Sequence, residues 1–361
     1  MKGRKSRRGG IRFLLILVGS LIILALLGAA GLAWAASYFN APPRENPLTR
    51  GNYPGAILEE EGTVLFEVRE GETAAAVGRR LERAGLIKSS LFWNILARVE
   101  KDHLKAGTYR LTIPAAQTEL RAVLVEGRQV LLRVTIPEGV TLKKAAAIIG
   151  QSNICGADDF LAAASDPSII AAYRIPGTTM EGYLYPETYF FPSSFPAERV
   201  VRTMADTFFE RIREIAPESE ALSPQELNDI VILASIVERE YRVEDEAPIM
   251  AGVFYNRMKI NMSLESCATV QYVITEIQGK PHPYVLYYED IAIKDPYNTY
   301  INAGLPPGPI SFPGKTALDA AFHPDKTDYL FFRLVNEAAG RHYFSKTLDA
   351  HIKAGALFVK S

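Results

Sequence analysis

Cysteine is almost missing from this chain. Its 361 residues include only Cys155 and Cys267. They could pair in an oxidising compartment, but two cysteines this far apart set no disulfide framework. The sequence also contains no Cys/His cluster with metal-ligand spacing, no glycine-rich nucleotide loop and no serine triad pattern. Metal, nucleotide and serine-hydrolase chemistry therefore have no sequence support, and no cofactor is expected. Net charge is nearly absent too, at −1, although this hides an asymmetry. Lys2, Arg4, Lys5, Arg7, Arg8 and Arg12 crowd the first twelve residues, where there is no acid. Without them 34 basic residues face 41 acidic ones. The bulk of the chain is mildly acidic, which argues against a nucleic-acid partner.

What the sequence does have is hydrophobic mass: 48% of its residues. Phe13 to Ser37 is a 25-residue stretch without a charge, long enough to span a bilayer as a helix. Trp34 and Tyr38 fall where an interfacial aromatic belt would lie. The basic residues ahead of the span predict the N-terminus inside and the remainder outside. Ala33-Trp34-Ala35 has the form of a signal-peptidase site, but cleavable apolar cores are shorter, about 7–15 residues. An uncleaved anchor is the expectation. A Pro- and Gly-containing stretch to Gly62 then reads as a linker.

From Thr63 the pattern changes. Val64, Phe66 and Val68 alternate as in a strand, Glu70-Gly71 turns, and Thr73 can cap a helix running to about Ala84. A second helix is expected over Ser90 to Val99, and a strand over Gly107 to Ile113. The opening pattern recurs: Phe66-x-Val68-x-Glu70-Gly71-x-Thr73 matches Val134-x-Ile136-x-Glu138-Gly139-x-Thr141. One repeat is too few for a solenoid. Met180 to Phe191 is dense in aromatics and carries Glu181 and Glu187; aromatic faces stack on sugars and also fill cores. An amphipathic helix follows from about Ala197 to Ile215.

The sharpest signal runs from Ser223 to Tyr241. Ser223 can cap, Pro224 suits the first helical position, and Glu226 completes a capping box. Ile230 to Val237 is apolar apart from Ser235, as in a buried helix. Leu227, Val231, Ala234 and Glu238 share one face. A carboxylate that ends a core-facing stripe would have its pKa raised by desolvation, leaving a protonated acid near neutral pH. The alternative is a structural ion pair with Arg242, one turn on.

Beyond Glu238 several motifs come in sequence: Leu233-Ala-Ser-Ile-Val-Glu-Arg-Glu240, Phe254-Tyr-Asn-Arg257, Tyr297-Asn-Thr-Tyr300, Gly304-Leu-Pro-Pro-Gly-Pro-Ile310 and Pro313-Gly314 with Ala317-Leu318. Glu181-Gly-Tyr-Leu-Tyr-Pro186 precedes them. Tyr329 to Leu334 and His342 to Phe344 read as paired strands. Together these motifs resemble the endolytic murein transglycosylases of the MltG (YceG-like) family, and the order is the family's. The resemblance implies an α+β chain. Its parts would be a basic tail (1–12), a transmembrane anchor (13–37), a linker (38–62), a LysM-like βααβ module (63–130), a second βα unit and connector (131–195) and a catalytic domain (196–361). A generic βα packing unit is the alternative for the LysM-like module.

The resemblance also implies an activity. Family members are single-pass membrane proteins that cut nascent peptidoglycan strands internally. They break the β-1,4 bond between N-acetylmuramic acid and N-acetylglucosamine and leave a 1,6-anhydromuramic end. Glu238 matches the family's catalytic glutamate. One acid suffices, because the substrate's own C6 hydroxyl replaces water as nucleophile. Asn256, Arg257, Glu265, Tyr297, Asn298, Thr299 and Tyr300 are the candidates for holding the glycan. The implied partners are peptidoglycan strands, the cell membrane and peptidoglycan synthases, with the catalytic domain extracytoplasmic. One loop departs from the pattern. Where the family usually reads Leu-Gln-Thr-Asp-Pro-Thr-Val, this chain has Leu264-Glu-Ser-Cys-Ala-Thr-Val270, with Cys267 at the usual Asp and Glu265 at the usual Gln. Glu265 raises the prospect of a second carboxylate and hence of hydrolysis. A water-using muramidase and a non-catalytic glycan-binding scaffold are the two competing functions.

Overall fold

The computed structural model describes residues 5–43, 56–60, 62–100, 103–283 and 285–357. The chain divides into two compact units, Met1–Val130 and Leu131–Ser361. Both mix helices with small antiparallel sheets, an α+β architecture.

The first unit opens with helix α1 (Lys5–Asn40). Its stretch Phe13–Asn40 is 28 residues of mostly apolar, outward-facing side chains, which is long enough to cross a membrane. The helix runs into the stretch expected to be linker. Of that stretch, residues 44–55 and 61 lie outside the described residues, as do residues 1–4 of the basic tail. Strand β1 (Ala56–Glu60) also falls within it and pairs with β2 (Thr63–Val68). After β2 come α2 (Ala74–Arg83), α3 (Ser90–Glu100), β3 (Gly107–Thr112) and α4 (Gln117–Glu126). The sheet order is β1-β2-β3, all antiparallel. The core gathers Val64, Phe66, Leu81, Trp93, Tyr109 and Leu120. Trp93 fits there because position 78 is glycine: a Cβ on Gly78 would meet the indole at 2.6 Å.

The second unit begins with β4 (Leu131–Thr135), α5 (Leu142–Gln151), α6 (Ala157–Ala163) and α7 (Pro167–Ala172). Strand β5 (Thr188–Pro192) returns to pair with β4. Then follow α8 (Ala197–Ile215), α9 (Pro224–Glu240), α10 (Ala247–Lys259), α11 (Cys267–Tyr272), α12 (Tyr288–Ile291) and α13 (Lys315–Phe322). The hairpin β6 (Phe331–Asn336) and β7 (Arg341–Ser345) and the short α14 (Leu348–Lys353) complete it.

The repeated segment is structural in both units. Gly71 and Gly139 sit at φ +72° and +69°, a region that favours glycine. Two residues later Thr73 and Thr141 cap α2 and α5 through their side-chain oxygens. Most of the Met180–Phe191 stretch fills the core: Met180, Tyr183, Leu184, Tyr185, Tyr189 and Phe191 are buried, and Phe190 is exposed. That core runs without a break from β4 and α5 through α8 to α9 and α13. Residues 131–195 and the elements beyond 196 therefore pack as one body.

Helix α9 is the axis of this unit. Its capping box forms as the sequence implies: Glu226 N–H donates to Ser223 Oγ and the Ser223 N–H donates to the Glu226 carboxylate. Val231 and Ala234 face one core, and Ile232, Leu233, Ile236 and Val237 face another. The Gly304–Ile310 loop crosses over it. Gly182, at φ +82°, accepts Pro309 so closely that a Cβ would lie 2.3 Å from the proline ring. Gly182→Ala should therefore cost more than about 1 kcal/mol, from backbone strain and the clash together. Urea unfolding checks this; an unchanged midpoint would show that the Pro309 contact yields freely.

Candidate active site

Ser235, the polar residue in the apolar run of α9, is the anchor of the site. Its Oγ accepts the Ile310 N–H at 3.0 Å, and its carbonyl accepts the Ser311 hydroxyl at 3.0 Å. These bonds fix the Pro-rich loop one turn before Glu238. The same loop is tied to the β4–α5 turn, where Gly139 N–H donates to Phe312 O at 2.9 Å and Phe312 N–H donates to Val140 O at 2.8 Å. Two stretches of main chain are thus held against the end of α9. Buried Glu181 steadies the turn from behind, its carboxylate accepting the Leu142 N–H at 3.0 and 3.1 Å.

Glu238 lies where these pieces meet. Its Oε2 accepts the Gly314 N–H at 2.9 Å. A Cβ on Gly139 would be 3.6 Å from its Cγ, so the turn packs directly on the side chain. Burial dominates its acidity and pushes the pKa to about 7. The Gly314 hydrogen bond opposes that shift, the negative charge of Glu138 adds to it, and Arg239 opposes it weakly. The alternative, an ion pair with Arg242, does not form. Helix α9 ends at Glu240 and Tyr241 is extended (φ −70°, ψ 150°), so the one-turn spacing is never realised.

Glu138 is the residue that sequence reasoning missed as a site residue. It was read as half of a Glu-Gly turn. In the fold its carboxylate occupies the space beside Gly314: a Cβ there would sit 1.8 Å from Glu138 Oε1. Gly314 has ordinary extended backbone (φ −84°, ψ −175°). Glycine is needed there for room, not for its backbone freedom. Two glutamates, from α9 and from the β4–α5 turn, therefore converge on one glycine. The recurrence of Glu-Gly before a capping Thr was the available signal, but it marks Glu70 equally and cannot single out Glu138.

The other residues expected from the sequence fall into two groups. Arg257, Glu265 and Tyr300 line one cleft of about 450 Å³, together with Arg239, Glu240 and Cys267. Arg257 is buried and donates to the carbonyls of Leu330, Ser263 and Leu264 and to the Glu265 carboxylate. Glu265 therefore turns to Arg257, and the carboxylate beside Glu238 is Glu138. Tyr300 Oη lies 3.1 Å from Cys267 Sγ. Cys155 and Cys267 are both free thiols. The remaining candidates are engaged within the protein. Asn256 donates to Thr327 O and Tyr329 O. Buried Asn298 donates to Ile291 O and Ile293 O, and buried Thr299 accepts the Ser266 N–H. Tyr297 packs its ring on Tyr272 at 5.1 Å. Among the described residues no cluster of His, Cys, Asp and Glu could hold a metal ion.

The carboxyl pair has a measurable consequence. Replacing Glu138 by Gln removes a like charge, so the Glu238 pKa should fall from about 7 toward the ordinary carboxyl range. Carbon-13 NMR titration of the Glu238 carboxyl reads this directly; an unchanged titration would mean that burial alone sets its acidity.

Residues 66–356 match the YceG-like family. A protein of Streptococcus pneumoniae serotype 2 (strain D39 / NCTC 7466) named endolytic murein transglycosylase is 30% identical over 336 residues, which cover 82% of this chain and 59% of that protein. One of the same name from Bacillus subtilis (strain 168) is 29% identical over 320 residues, with 84% and 87% covered. The chain thus spans under two thirds of the pneumococcal relative and most of the Bacillus one. A crystal structure of a YceG-like protein from Listeria monocytogenes is 32% identical, has a TM-score of 0.54 and covers 81% of this chain and 98% of its own. With four fifths of its length inside the family match, this chain belongs to the YceG-like family.

Proposed function

We propose that this chain is a membrane-anchored lytic transglycosylase of peptidoglycan. One observation carries the reading: a carboxyl whose pKa is about 7, steadied by the Gly314 N–H, at the end of a core helix. The names of the pneumococcal and Bacillus relatives, endolytic murein transglycosylase, support the same chemistry.

In this reading Glu238 works alone as acid and then base. Protonated Glu238 gives its proton to the glycosidic oxygen between N-acetylmuramic acid and N-acetylglucosamine as the C1–O bond breaks. The muramic C6 hydroxyl attacks C1, and the ionised carboxylate takes its proton. The acid is restored, no water is consumed, and one new end is a 1,6-anhydromuramic residue. A pKa near the working pH suits both halves of the cycle. Glu265 and Tyr300 contact the strand from the neighbouring cleft. Asn256, Arg257, Tyr297, Asn298 and Thr299 serve it by fixing the loops that present those side chains.

The remainder of the chain fits the same role. Helix α1 anchors the protein with its basic N-terminal flank on the cytoplasmic side. The βααβ order of β2, α2, α3 and β3 suits a LysM-like module that holds N-acetylglucosamine-containing glycan, with the catalytic domain beyond it. Acting on strands as synthases extrude them, such an enzyme ends glycan elongation.

A second reading has its own observation. Hydrolysis needs a carboxylate to activate water, and Glu138 is beside Glu238. A muramidase would leave a reducing end one water heavier.

Full-length protein in detergent, given uncrosslinked glycan strands, decides by product mass. Anhydromuramic ends are expected; products heavier by one water would establish the muramidase. Glu238→Gln should lower cleavage by roughly 10²–10⁴-fold while strands still bind. Undiminished cleavage would sink the assignment. Because the protonated form starts the reaction, cleavage by the native protein should decline as pH rises through about 7.

A further inference from the structure

The cleft beside Glu238 carries a charge that the single-acid mechanism does not use. Arg239, Arg242, Arg257 and Arg333 line it, with Glu240 and Glu265 as its acids and His342 and His351 at its wall. Positive charge prevails there, although the chain without its tail is acidic. Two of the four guanidiniums are committed. Arg257 holds three carbonyls and Glu265, and Arg239 donates to Gly139 O and Gln271 Oε1. The exposed side chains of Arg242 and Arg333 make no hydrogen bond or ion pair among the described residues. The Arg333 guanidinium lies over Gly355, where a Cβ would approach it to 3.0 Å, so glycine leaves it its place.

His351 gives an independent sign. Its Nδ1 is buried and has no hydrogen-bond partner among the described residues. Burial, then Arg333 and Arg257, hold its pKa below the ordinary value. Burial is the larger cause, and the two guanidiniums act in the same direction.

We propose that this cleft binds carboxylates of the peptide stem borne by the muramic residue whose bond is cut, with Arg242 and Arg333 as the free cations. This rests on the glycan-cleaving reading. The stem hangs from the lactyl ether on C3 of the same ring whose C1 bond breaks, so it leaves the sugar a ring's width from Glu238. Arg239 joins the two places: it lines the cleft and donates to Gly139, the residue packed on Glu238. Guanidinium is the cation that matches a carboxylate's two oxygens. A stem carboxylate would complete the charge of the cleft and hold muramic acid, not N-acetylglucosamine, on the side of Glu238 where C1 is attacked.

The test is binding by full-length protein carrying Glu238→Gln, so that strands are not consumed. Affinity is measured for stem-bearing strands and for the same strands with their stem carboxylates amidated. Adding Arg242→Gln and Arg333→Gln should weaken binding of strands with free stem carboxylates by roughly tenfold and leave amidated strands unchanged. Higher salt should erase the difference. Equal loss on both strands, or no loss on either, would overturn the proposal; a circular-dichroism melt of the variant separates the first case from misfolding, and Arg→Lys at both positions repeats the comparison with charge kept. Stem-dependent binding without cleavage by the native protein would leave this proposal standing and remove the transglycosylase reading. Cleavage without stem dependence would do the reverse.

Discussion

The site depends on the pinning of two main-chain segments to one turn of α9. Ser235 accepts Ile310 and receives Ser311, and Phe312 exchanges hydrogen bonds with the Gly139–Val140 turn. These bonds satisfy buried backbone groups that would otherwise be costly to leave unpaired. They also decide how much water reaches Glu238. Desolvation is the largest influence on that carboxyl, and the wall that desolvates it is made of these loops. The rigidity of Pro306, Pro307 and Pro309 matters for the same reason, since a loop with few conformations loses little entropy when it is fixed.

Glycine does two distinct jobs around the acid. At Gly139 and Gly182 the backbone is left-handed, and a side chain would strain it. At Gly314 the backbone is ordinary, and the missing side chain is what admits Glu138 while the N–H reaches Glu238. Ala317 and Leu318, one turn beyond Gly314 in α13, are buried against the core. The start of α13 cannot retreat from the two carboxylates.

Local signals carried much of the fold. The capping box at Ser223, the Thr73 and Thr141 caps, the amphipathic α8 and the β6–β7 hairpin were all written in short-range patterns, because caps, turns and periodicity are local physics. The raised pKa of Glu238 was legible for the same reason, as a charge ending an apolar stripe. What was not legible depends on long-range placement. Glu138 lies 100 positions from Glu238, and only the crossing of the Gly304–Gly314 segment brings them together. Periodicity suggested Arg242 as a partner, but it failed because the helix stops two residues earlier than the ion pair needs. The Glu181-to-Phe191 aromatics could have been a sugar platform; burial of all but Phe190 assigns them to packing, and Glu181 holds the turn that carries Glu138.

The sign of the shift on Glu238 separates an acid from a structural charge. A carboxylate kept for an ion pair is surrounded by donors and cations, and its pKa falls. Here the cation that acts on it, Arg239, donates to Gly139 and Gln271, and the stronger charge acting on it is another carboxylate, Glu138. Burial with no donor at all would raise the pKa so far that the carboxyl could no longer release its proton to a leaving group or accept one afterwards. The Gly314 N–H limits that rise, and the result stands at about 7. Glu181 makes the contrast within the same unit: more deeply buried, it reaches about 8, but its oxygens are occupied by Leu142 and face the core. Raised acidity alone does not make a site. Of these two glutamates, Glu238 is the one that stays half-exposed, at the mouth formed by Gly139 and Gly314, where a substrate oxygen can reach it.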